Sequence, residues 1–377
     1  MINLGSKIVN GKELRYGFTT GTCATAAAKA AVIMLFNKIT LREIEITTNS
    51  GKAISLPVEN ISFKDDSVKC GIQKDSGDDP DITNGMFVFA EAKLIEKGIK
   101  IKAGNGVGIV TKKGLAVSPG LPAINPGPMK MIHSELKKVL PDNQGVEITL
   151  SIPGGEEIAK RTFNPKLGIE GGLSILGTSG IIEPMSVDAI KETHRLELNR
   201  FVEEGHKKII LVLGNYGNDF VKEILAISNF PVLKISNYIG DILLYAETKP
   251  IEEILIIGHI GKLIKLAGGI FNTHSKTADG RMEIFAALAA SVGLSVEGIN
   301  EILETNTTDS AIEIIEKEFS EEKQNELFSK IAERVSKKTE SYVHNSIKAG
   351  SLIFSLQKGE LARCKNAKAI IAEICNE

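Results

Sequence analysis

Residues 207–219, KKIILVLGNYGND, set the architecture of the second half of this chain. Five consecutive apolar residues, Ile209–Leu213, predict a strand that is buried on both faces, and the Gly-rich turn after them predicts a helix that follows from Phe220. The same order of apolar strand, polar turn and helix recurs at Pro231–Glu247 and again from Ile254. Strands that alternate with short helices predict a parallel, doubly wound sheet, and therefore a Rossmann-like α/β domain.

Two triplets of apolar residues recur at helical spacing near the end of the chain. The triplets are Ile312, Ile315 and Phe319, and Leu327, Ile331 and Val335. Residues at this spacing share one face of a helix, which they bury against the rest of the protein. We therefore expect the α/β domain to be followed by a C-terminal segment that is mostly helical.

The N-terminal part has a different sequence pattern, a helix followed by mainly antiparallel strands, which predicts an α+β domain. An Ala-rich segment up to about Phe36 predicts a helix that Thr20 or Thr22 can cap. Residues 146–152 alternate apolar and polar side chains, as a half-buried strand does. The following Pro153-Gly154-Gly155 predicts a hairpin turn into another strand.

This change in sequence pattern divides the chain into two predicted domains. Residues 1–165 form the α+β domain, and residues 166–377 form the Rossmann-like domain with its helical segment. A chain of 377 residues has ample length for both cores.

Composition excludes several classes of function. A net charge of -2 and an aromatic content of 5% give neither a basic field nor stacking platforms for nucleic acid. The longest apolar runs are strand-sized and too short to span a bilayer. The four cysteines have no metal-ligand spacing. We expect a cytoplasmic protein that binds no nucleic acid and no membrane and has no metal site of its own.

The segment Phe271–Phe285, FNTHSKTADGRMEIF, concentrates polar chemistry between two apolar elements. Hydroxyls, an imidazole, a carboxylate and cations stand between Asn272 and Arg281, where Ala278 is the only clearly apolar residue. A connection between core elements needs turn residues, but it does not need all of these groups together. The segment predicts a site for a highly functionalised polar ligand, and a solvated loop of varied composition is the alternative.

The turn Gly214–Asp219 predicts a ligand site at the carboxyl end of the sheet. It lacks the G-x-G-x-x-G spacing of dinucleotide folds, so a plain strand-to-helix turn is the alternative. Ser236 and Asn237, rather than an acid, end the second strand, and the nearest acid is Asp241. His259 follows the third strand, where an imidazole is suited to act as a base, a donor or a purely structural group.

Several N-terminal segments are suited to an anionic or polar ligand. Gly104–Gly114 combines glycine amides with Lys112 and Lys113, and a hairpin with exposed lysines is the alternative. The acids of 78–81 are suited to a ribose or a cation, or to a surface turn. Cys23 lies near a helix N-terminus, where we expect a packed side chain rather than a reactive thiol.

A series of segments, taken in order, resembles the cobalt-precorrin-5B C(1)-methyltransferase family, the CbiD type, of anaerobic cobalamin (vitamin B12) biosynthesis. The segments are Tyr16–Ala31, Gly77–Gly85, Gly104–Gly114, Pro119–Pro128, Gly172–Ser186, Gly214–Phe220, Ser236–Asp241 and His259–Glu283. Each segment alone is a weak match, but the ordered set is highly specific. The C-terminal helical part carries little of the resemblance.

The resemblance implies methyl transfer from S-adenosylmethionine to carbon 1 of cobalt-precorrin-5B, giving cobalt-precorrin-6A. A sulfonium methyl donor and a ring carbon react by in-line displacement, so the enzyme has mainly to align them. The macrocycle bears many acetate and propionate groups, which loops rich in hydroxyl, Lys and Arg groups are suited to bind. Cobalt is expected only as part of the substrate.

Residue chemistry, rather than the resemblance, assigns roles to individual side chains. The proton acceptors are His259, His274 and Asp279; the residues for the methyl donor are Gly214, Asn215, Gly217, Asp219, Asn237 and Asp241; those for the substrate are Thr20, Thr22, Lys112, Lys113, Thr273, Ser275 and Arg281. Proton acceptors are needed once the new carbon bond forms. For the methyl donor we favour the crevice of the Rossmann-like domain, with the N-terminal domain as the alternative.

Two other functions stay open at this point. A nicotinamide-dependent corrinoid reductase would use the α/β domain for a dinucleotide, although the missing glycine spacing and the missing ribose acid argue against it. A non-catalytic corrinoid carrier would bind the macrocycle tightly and have no affinity for a methyl donor. A homo-oligomer is compatible with either reading.

Overall fold

A computed structural model describes residues 4–9, 11–165, 167–214 and 230–374. The chain divides into two compact units, Met1–Val187 and Asp188–Glu377, here called the first and second unit. The boundary predicted after residue 165 lies inside the first unit, because short strands between residues 169 and 182 pair with earlier segments of that unit. The predicted helix from Phe220 lies outside the described residues.

The first unit combines many short strands with three described helices. Its strands are β1 (Ser6–Val9), β2 (Lys12–Arg15), β3 (Gly17–Phe18), β4 (Glu43–Thr47), β5 (Ala53–Pro57), β6 (Glu59–Phe63), β7 (Ser67–Gln73), β8 (Phe87–Ile95), β9 (Gly98–Ala103), β10 (Gly106–Val107), β11 (Ile109–Val110), β12 (Gly145–Ser151), β13 (Ile169–Glu170), β14 (Gly172–Leu173) and β15 (Ile181–Ile182). Its helices are α1 (Thr20–Asn37), α2 (Pro126–Lys137) and α3 (Gly155–Ala159). Five strands form the main sheet in the order β6-β7-β8-β12-β9, antiparallel except for the β12–β9 pair.

Helix α1 packs against β7 and β8 of this sheet. Its alanines at 24, 26, 27, 28, 30 and 31 are fully buried, and side chains of this size let a helix lie close to a sheet. The N-cap is Thr19, whose Oγ1 accepts a hydrogen bond from the backbone N–H of Thr22 at 3.2 Å. The prediction that Thr20 or Thr22 caps the helix is therefore wrong, because Thr19 is the last residue with extended backbone.

The hairpin predicted at Pro153-Gly154-Gly155 is also wrong, because the chain turns there into α3. Gly154 has a φ of 79°, in the region that favours glycine. A Cβ on Gly155 would lie 2.3 Å from the carbonyl oxygen of Gly106. The close approach of two backbone segments, rather than a strand pair, requires glycine at this position.

The second unit is built on one five-stranded sheet. Its strands are β16 (Lys208–Leu213), β17 (Val232–Ile235), β18 (Glu253–His259), β19 (Lys348–Ser355) and β20 (Gly359–Arg363). The described helices from the unit boundary onward are α4 (Val187–Glu203), α5 (Ile239–Glu247), α6 (Ile260–Ala267), α7 (Arg281–Ala290), α8 (Val296–Glu304), α9 (Thr308–Glu318), α10 (Glu321–Tyr342) and α11 (Lys365–Ile374). The three strands predicted from Ile209, Pro231 and Ile254 and the helix at 239–247 are confirmed.

Strand order in the second unit creates a crevice at one edge of the sheet. The order is β17-β16-β18-β19-β20, in which the first four strands are parallel and β20 is antiparallel to β19. From β16 the chain crosses to β17 on one side, and from β17 it then crosses back past β16 to β18 on the other side. At such a reversal the carboxyl ends of the strands open a crevice in which ligands bind.

The C-terminal part is mostly helical, as the sequence predicts, but it also contributes strands β19 and β20, which the sequence did not predict. The sequence of β19, KAGSLIFS, mixes small and hydroxyl residues with apolar ones, so it lacks the unbroken apolar run of β16 and β18. The two predicted apolar triplets are buried on α9 and α10, which confirms those helical faces. No helix among the described residues has the length and apolar character needed to cross a membrane.

Candidate functional site

The polar loop, Asn272–Arg281, is anchored beside the carboxyl end of β17. The backbone N–H of Thr273 donates to the carbonyl of Asn237 at 2.9 Å. The hydroxyl of Thr273 also donates to Oδ1 of Asn237, at 3.1 Å, and the Thr273 side chain is buried. Two residues predicted for different ligands, Thr273 and Asn237, therefore lie together and hold the loop at the edge of the sheet.

Lys265, on α6, holds the other side of the polar loop. Its ammonium donates to the carbonyl oxygens of Thr273 at 3.2 Å and Ala278 at 2.8 Å. Nζ also lies 3.8 Å from Oδ1 of Asp279, and the side chain is only 3% exposed. A buried ammonium with three oxygen neighbours fixes the path of the loop between these residues.

His274 is held within the polar loop in a defined tautomer. The backbone N–H of Lys276 donates to Nδ1 of His274 at 3.2 Å, and Oδ1 of Asn272 accepts from the His274 backbone N–H at 3.2 Å. A backbone N–H can only donate, so Nδ1 is the acceptor and the proton of the neutral imidazole is on Nε2. In this arrangement His274 offers a hydrogen-bond donor rather than a free lone pair.

His259 is held in the same tautomer at the end of β18. Its Nδ1 accepts from the backbone N–H of Gly261 at 3.1 Å and so caps α6. Nε2 is buried without a hydrogen-bond partner, and Oδ2 of Asp309 lies 3.8 Å from it. Burial lowers the pKa of His259, and the nearby Asp309 carboxylate only partly opposes this shift. Ser355 in turn donates to Oδ1 of Asp309 at 2.8 Å, which fixes that carboxylate.

Asp279 and Arg281 form a forked ion pair at the end of the polar loop. Nε of Arg281 lies 2.7 Å from Oδ1 of Asp279, and its terminal nitrogen lies 2.8 Å from Oδ2. The hydrogen bonds from Arg281 hold the pKa of Asp279 below its usual range, and the carboxylate raises the pKa of Arg281. Asp279 is thus ionised at neutral pH and a weak base. Ser275, in the same loop, is exposed.

Asp241 is neutralised by two cations from α4. Its Oδ1 lies 3.2 Å from Nζ of Lys191, and both carboxylate oxygens lie 2.9 Å from Arg195. The carboxylate borders a cavity of about 210 Å³. The cavity is lined by Lys191, Tyr238, Gly240, Asp241, Phe271, Asn272 and Tyr342, of which Phe271 and Tyr342 stack with centroids 4.0 Å apart. Asp241 therefore belongs to a small polar and aromatic cavity next to the start of the polar loop.

Gly214, which follows β16, bonds the carbonyl of Ile235 just before Ser236 and lies near Lys262; neither Ser236 nor Lys262 has a side-chain partner among the described residues. The hydroxyl of Ser236 is buried and has no hydrogen-bond partner among the described residues. Nζ of Lys262 lies 3.5 Å from the position that a Cβ on Gly214 would occupy. Asn215, Gly217 and Asp219, which the sequence predicts for the methyl donor, lie outside the described residues.

Thr20 and Thr22, in the first unit, hold the turn at 176–180. The hydroxyl of Thr20 accepts from the backbone N–H of Leu176 at 2.9 Å, and the hydroxyl of Thr22 donates to the carbonyl of Gly180 at 2.6 Å. Both side chains are buried. In this structure their hydrogen bonds fix backbone, whereas Lys112 and Lys113 are exposed on the same unit.

The acids around Asp78–Asp81 are engaged by neighbouring groups of the first unit. Asp78 accepts from the backbone N–H of Arg15 at 2.6 Å, and Asp79 accepts from that of Met185 at 2.9 Å. Asp81 pairs with the buried ammonium of Lys74 at 2.7 Å. These bonds favour the reading of the cluster as a structural turn. No group of His, Cys, Asp and Glu within the described ranges is arranged to hold a metal ion.

Cys23 packs inside the first unit, as the sequence predicts. Its side chain is fully buried in α1. Burial raises the pKa of the thiol to about 12, so the thiolate is scarce at neutral pH. The position near a helix N-terminus does not make it a reactive thiol.

Sequence reasoning missed several residues that shape the site in the second unit. They are Lys191, Arg195, Lys262, Lys265, Asp309 and Ser355. Helix α6, IGKLIKLA, carried a usable signal, because its two lysines stand among residues that are otherwise apolar. Asp309 and Ser355 gave none, since 46 residues separate them in the chain.

Comparisons with known proteins cover nearly the whole chain. The family model described as CbiD matches residues 7–184, and the model of the CbiD C-terminal domain matches residues 272–365. A protein of Alkaliphilus metalliredigens named cobalt-precorrin-5B C(1)-methyltransferase is 46% identical over 98% of this chain and 97% of its own length. A protein of the same name from Thermoanaerobacter sp. is 47% identical over 94% of this chain and 97% of its own length. A crystal structure of the cobalamin biosynthesis protein CbiD from Archaeoglobus fulgidus is 27% identical, covers 72% of this chain and 86% of that one, and has a TM-score of 0.39.

Proposed function

The chain belongs to the CbiD family, and we propose that it transfers a methyl group to carbon 1 of cobalt-precorrin-5B, giving cobalt-precorrin-6A in cobalamin biosynthesis. The observation that carries the residue-level proposal is the anchoring of the polar loop by Asn237 and Lys265 at the carboxyl edge of the sheet. An enzyme that mainly aligns two reactants needs its contacting groups fixed in this way.

A methyltransferase needs a methyl donor. We infer that S-adenosylmethionine binds in the crevice of the second unit, at the carboxyl ends of the strands, as ligands do in Rossmann-like domains. When bound, it supplies an electrophilic methyl group on a sulfonium. The residues present fit such a ligand, because the crevice offers a buried hydroxyl without a partner on Ser236 and an ammonium on Lys262. The aromatic and polar cavity beside Asp241 lies at the same edge of the sheet.

The polar loop is our proposed contact for the macrocycle. His274 offers an Nε2–H donor, and Arg281 offers the guanidinium nitrogens that Asp279 leaves unpaired. The exposed hydroxyl of Ser275 lies in the same loop, whereas the buried hydroxyl of Thr273 donates to Asn237 and holds the loop in place. Such donors suit acetate and propionate side chains. On the first unit, Lys112 and Lys113 are exposed cations. Thr20 and Thr22 hold the turn at 176–180 by their hydrogen bonds to its backbone.

Among the three proposed proton acceptors, geometry favours Asp279. The lone pair of neutral His259 and of neutral His274 is on Nδ1, where a backbone N–H already uses it. Protonation there would break the cap of α6 or the turn of the polar loop. Asp279 keeps unused lone pairs on both oxygens and is 39% exposed. We therefore propose Asp279 as the proton acceptor and the two imidazoles as hydrogen-bond donors.

The test is an anaerobic assay of purified protein with cobalt-precorrin-5B and methyl-labelled S-adenosylmethionine, read by mass spectrometry and NMR. Label at carbon 1 is the expected result. A macrocycle that binds without being labelled would instead support a carrier, and oxidation of a nicotinamide would support a reductase. The cytoplasmic location and a homo-oligomeric state stay predictions.

A further inference from the structure

Three features meet where the second-unit sheet reverses its strand order. Gly214 ends β16 with a φ of 88°, and its backbone N–H donates to the carbonyl of Ile235 at 3.1 Å. This bond places Gly214 against the end of β17, where Ser236 is the next residue. Lys262 reaches the same glycine from the first turn of α6, which follows β18. The ends of three neighbouring strands thus contribute to one small region.

Among the described residues, no carboxylate supplies a counter-charge for the ammonium of Lys262. The side chain is half-buried, and no described carboxylate forms an ion pair with it. Burial lowers the pKa of Lys262, and the only charged neighbour that adds to this shift is another cation, Lys265. A desolvated cation without an anion is unfavourable for folding alone. Its position is explained if a ligand supplies the anion.

Ser236 adds a second unsatisfied polar group. Its hydroxyl is buried and forms no hydrogen bond with any described residue. Buried hydroxyls are normally bonded, so an exception at the residue after Ile235, whose carbonyl bonds Gly214, points to a ligand rather than to chance. The glycine at 214 keeps the region open, because a Cβ there would stand 3.5 Å from Nζ of Lys262.

We propose that Lys262, Ser236 and Gly214 form a subsite for a carboxylate of a bound ligand. The subsite rests on the proposed function, in which both reactants carry carboxylates. The methyl donor has one on its amino-acid part, and the macrocycle has several acetate and propionate groups. In either case the ammonium supplies the charge, the hydroxyl supplies a neutral donor, and the glycine leaves space for both oxygens.

Equilibrium binding by calorimetry separates the two sources. The protein variants are wild type, Lys262→Met, Ser236→Ala and, as a matched loss of charge at an exposed position of α10, Lys337→Met. The probes are S-adenosylhomocysteine, 5′-methylthioadenosine, which lacks the amino-acid carboxylate, and cobalt-precorrin-5B under anaerobic conditions. Loss of one charge-assisted hydrogen bond weakens binding roughly 10- to 100-fold.

Two results support the subsite and assign its ligand. If the carboxylate belongs to the methyl donor, Lys262→Met weakens S-adenosylhomocysteine at least tenfold and leaves 5′-methylthioadenosine unchanged. If it belongs to the macrocycle, Lys262→Met weakens cobalt-precorrin-5B and leaves S-adenosylhomocysteine unchanged. Ser236→Ala is expected to weaken the same ligand by a few-fold, and Lys337→Met is expected to bind both ligands as the wild type does.

Two results overturn the subsite, and they are distinguishable. Wild-type affinity of Lys262→Met and Ser236→Ala for every probe, with methyl transfer intact in the wild type, rejects the subsite alone. A wild-type protein that binds neither reactant rejects the proposed function and the subsite with it. Thermal unfolding checks the variants, and Lys262→Met is expected to unfold at the wild-type temperature or above it, because it removes a desolvated charge. If it fails to fold, Ser236→Ala decides the question.

Discussion

The two units differ in how far their buried polar groups are satisfied by hydrogen bonds. In the part of the chain that the structure describes, every buried side-chain nitrogen or oxygen without a hydrogen-bond partner belongs to the second unit. These atoms are Nε of Arg195 and Arg200, Oγ of Ser236, Oε2 of Glu253 and Nε2 of His259. The first unit has as many suggestive polar clusters in its sequence, but its threonines and aspartates are bonded to neighbouring backbone and to Lys74. A polar cluster therefore indicates a ligand only where its bonds are left open.

The largest expected effect is in the first unit, at the buried pair of Lys74 and Asp81. The side chain of Lys74 is 2% exposed, and its Nζ lies 2.7 Å from Oδ2 of Asp81. Burial would raise the pKa of Asp81, but Lys74 and the hydrogen bonds from Thr83 together outweigh it and the net shift is downward. Asp81→Asn leaves the ammonium buried without its counter-ion, so the free energy of unfolding falls by about 3 kcal/mol. Urea unfolding measures this loss.

An exposed ion pair of the same unit is the control for Asp81→Asn. Asp66 pairs with Lys93, and both side chains are more than half exposed. Asp66→Asn is expected to leave the unfolding midpoint unchanged, because water replaces the lost partner. Equal losses in the two variants would contradict the view that first-unit polar clusters serve the fold through burial.

Two lysines on one helix offer a sharper comparison. Lys265 and Lys262 both lie on α6, but Lys265 has two carbonyl acceptors and Lys262 has no described partner. Lys265→Met leaves the carbonyls of Thr273 and Ala278 unsatisfied, which lowers the free energy of unfolding by about 2 kcal/mol. Lys262→Met is expected to leave the free energy of unfolding unchanged.

Urea unfolding of the two variants, in parallel, checks this prediction. Similar losses at Lys262 and Lys265 would mean that both ammonium groups serve the fold, and the distinction between bonded and open polar groups would fail. Hydrogen exchange in the polar loop gives a second reading, since Lys265→Met should speed exchange at residues 273–279 and Lys262→Met should not.

Two hydroxyls provide the next test. Thr22 donates to the carbonyl of Gly180 at 2.6 Å, whereas the hydroxyl of Ser236 has no hydrogen-bond partner in the described part of the chain. Thr22→Val preserves shape and removes that bond, so the free energy of unfolding falls by about 1–2 kcal/mol. Ser236→Ala removes an unsatisfied group and is expected to leave stability unchanged or slightly higher. Thermal unfolding of both variants is the measurement, and a larger loss for Ser236→Ala would reverse the comparison.

Much of the fold is predictable from this sequence, because its strongest signals are local. The unbroken apolar runs predict the strands from Ile209 and Ile254, and the apolar spacing around Ile312 and Leu327 predicts helices; the structure confirms both. Strand β19 was missed, because Gly350 and Ser351 interrupt its apolar pattern and its burial comes from tertiary packing. The turn at Gly155 was misread for a similar reason, since its close approach to Gly106 is invisible in local sequence.

The candidate site was predictable as a region but not as a set of bonds. The composition of residues 271–285 identified the polar loop, yet nothing in it identifies Lys265 as the group that holds it. The bond from Gly261 to Nδ1 of His259 depends on backbone geometry at the helix start. Sequence supplies residue types, whereas the tautomer and the free lone pairs follow only from the hydrogen bonds that the folded chain makes.

The smallest expected effect concerns His259 and pH. Burial lowers the pKa of its imidazole from 6.5, and Asp309 opposes this only in part. Between the lowered pKa and 6.5 the unfolded chain binds a proton that the folded chain does not, so this residue makes stability fall as pH falls.

His259→Asn keeps an acceptor for the Gly261 N–H and removes the titration of the imidazole. The slope of unfolding free energy between pH 5 and 7 should therefore decrease by a fraction of the roughly 1.4 kcal/mol per pH unit that one full proton gives. His259→Ala removes the cap as well and should also lower stability at pH 8, which is above the lowered pKa of His259. A His259→Asn variant with the wild-type slope would mean that the buried Nε2–H contributes nothing to the acid sensitivity of the second unit.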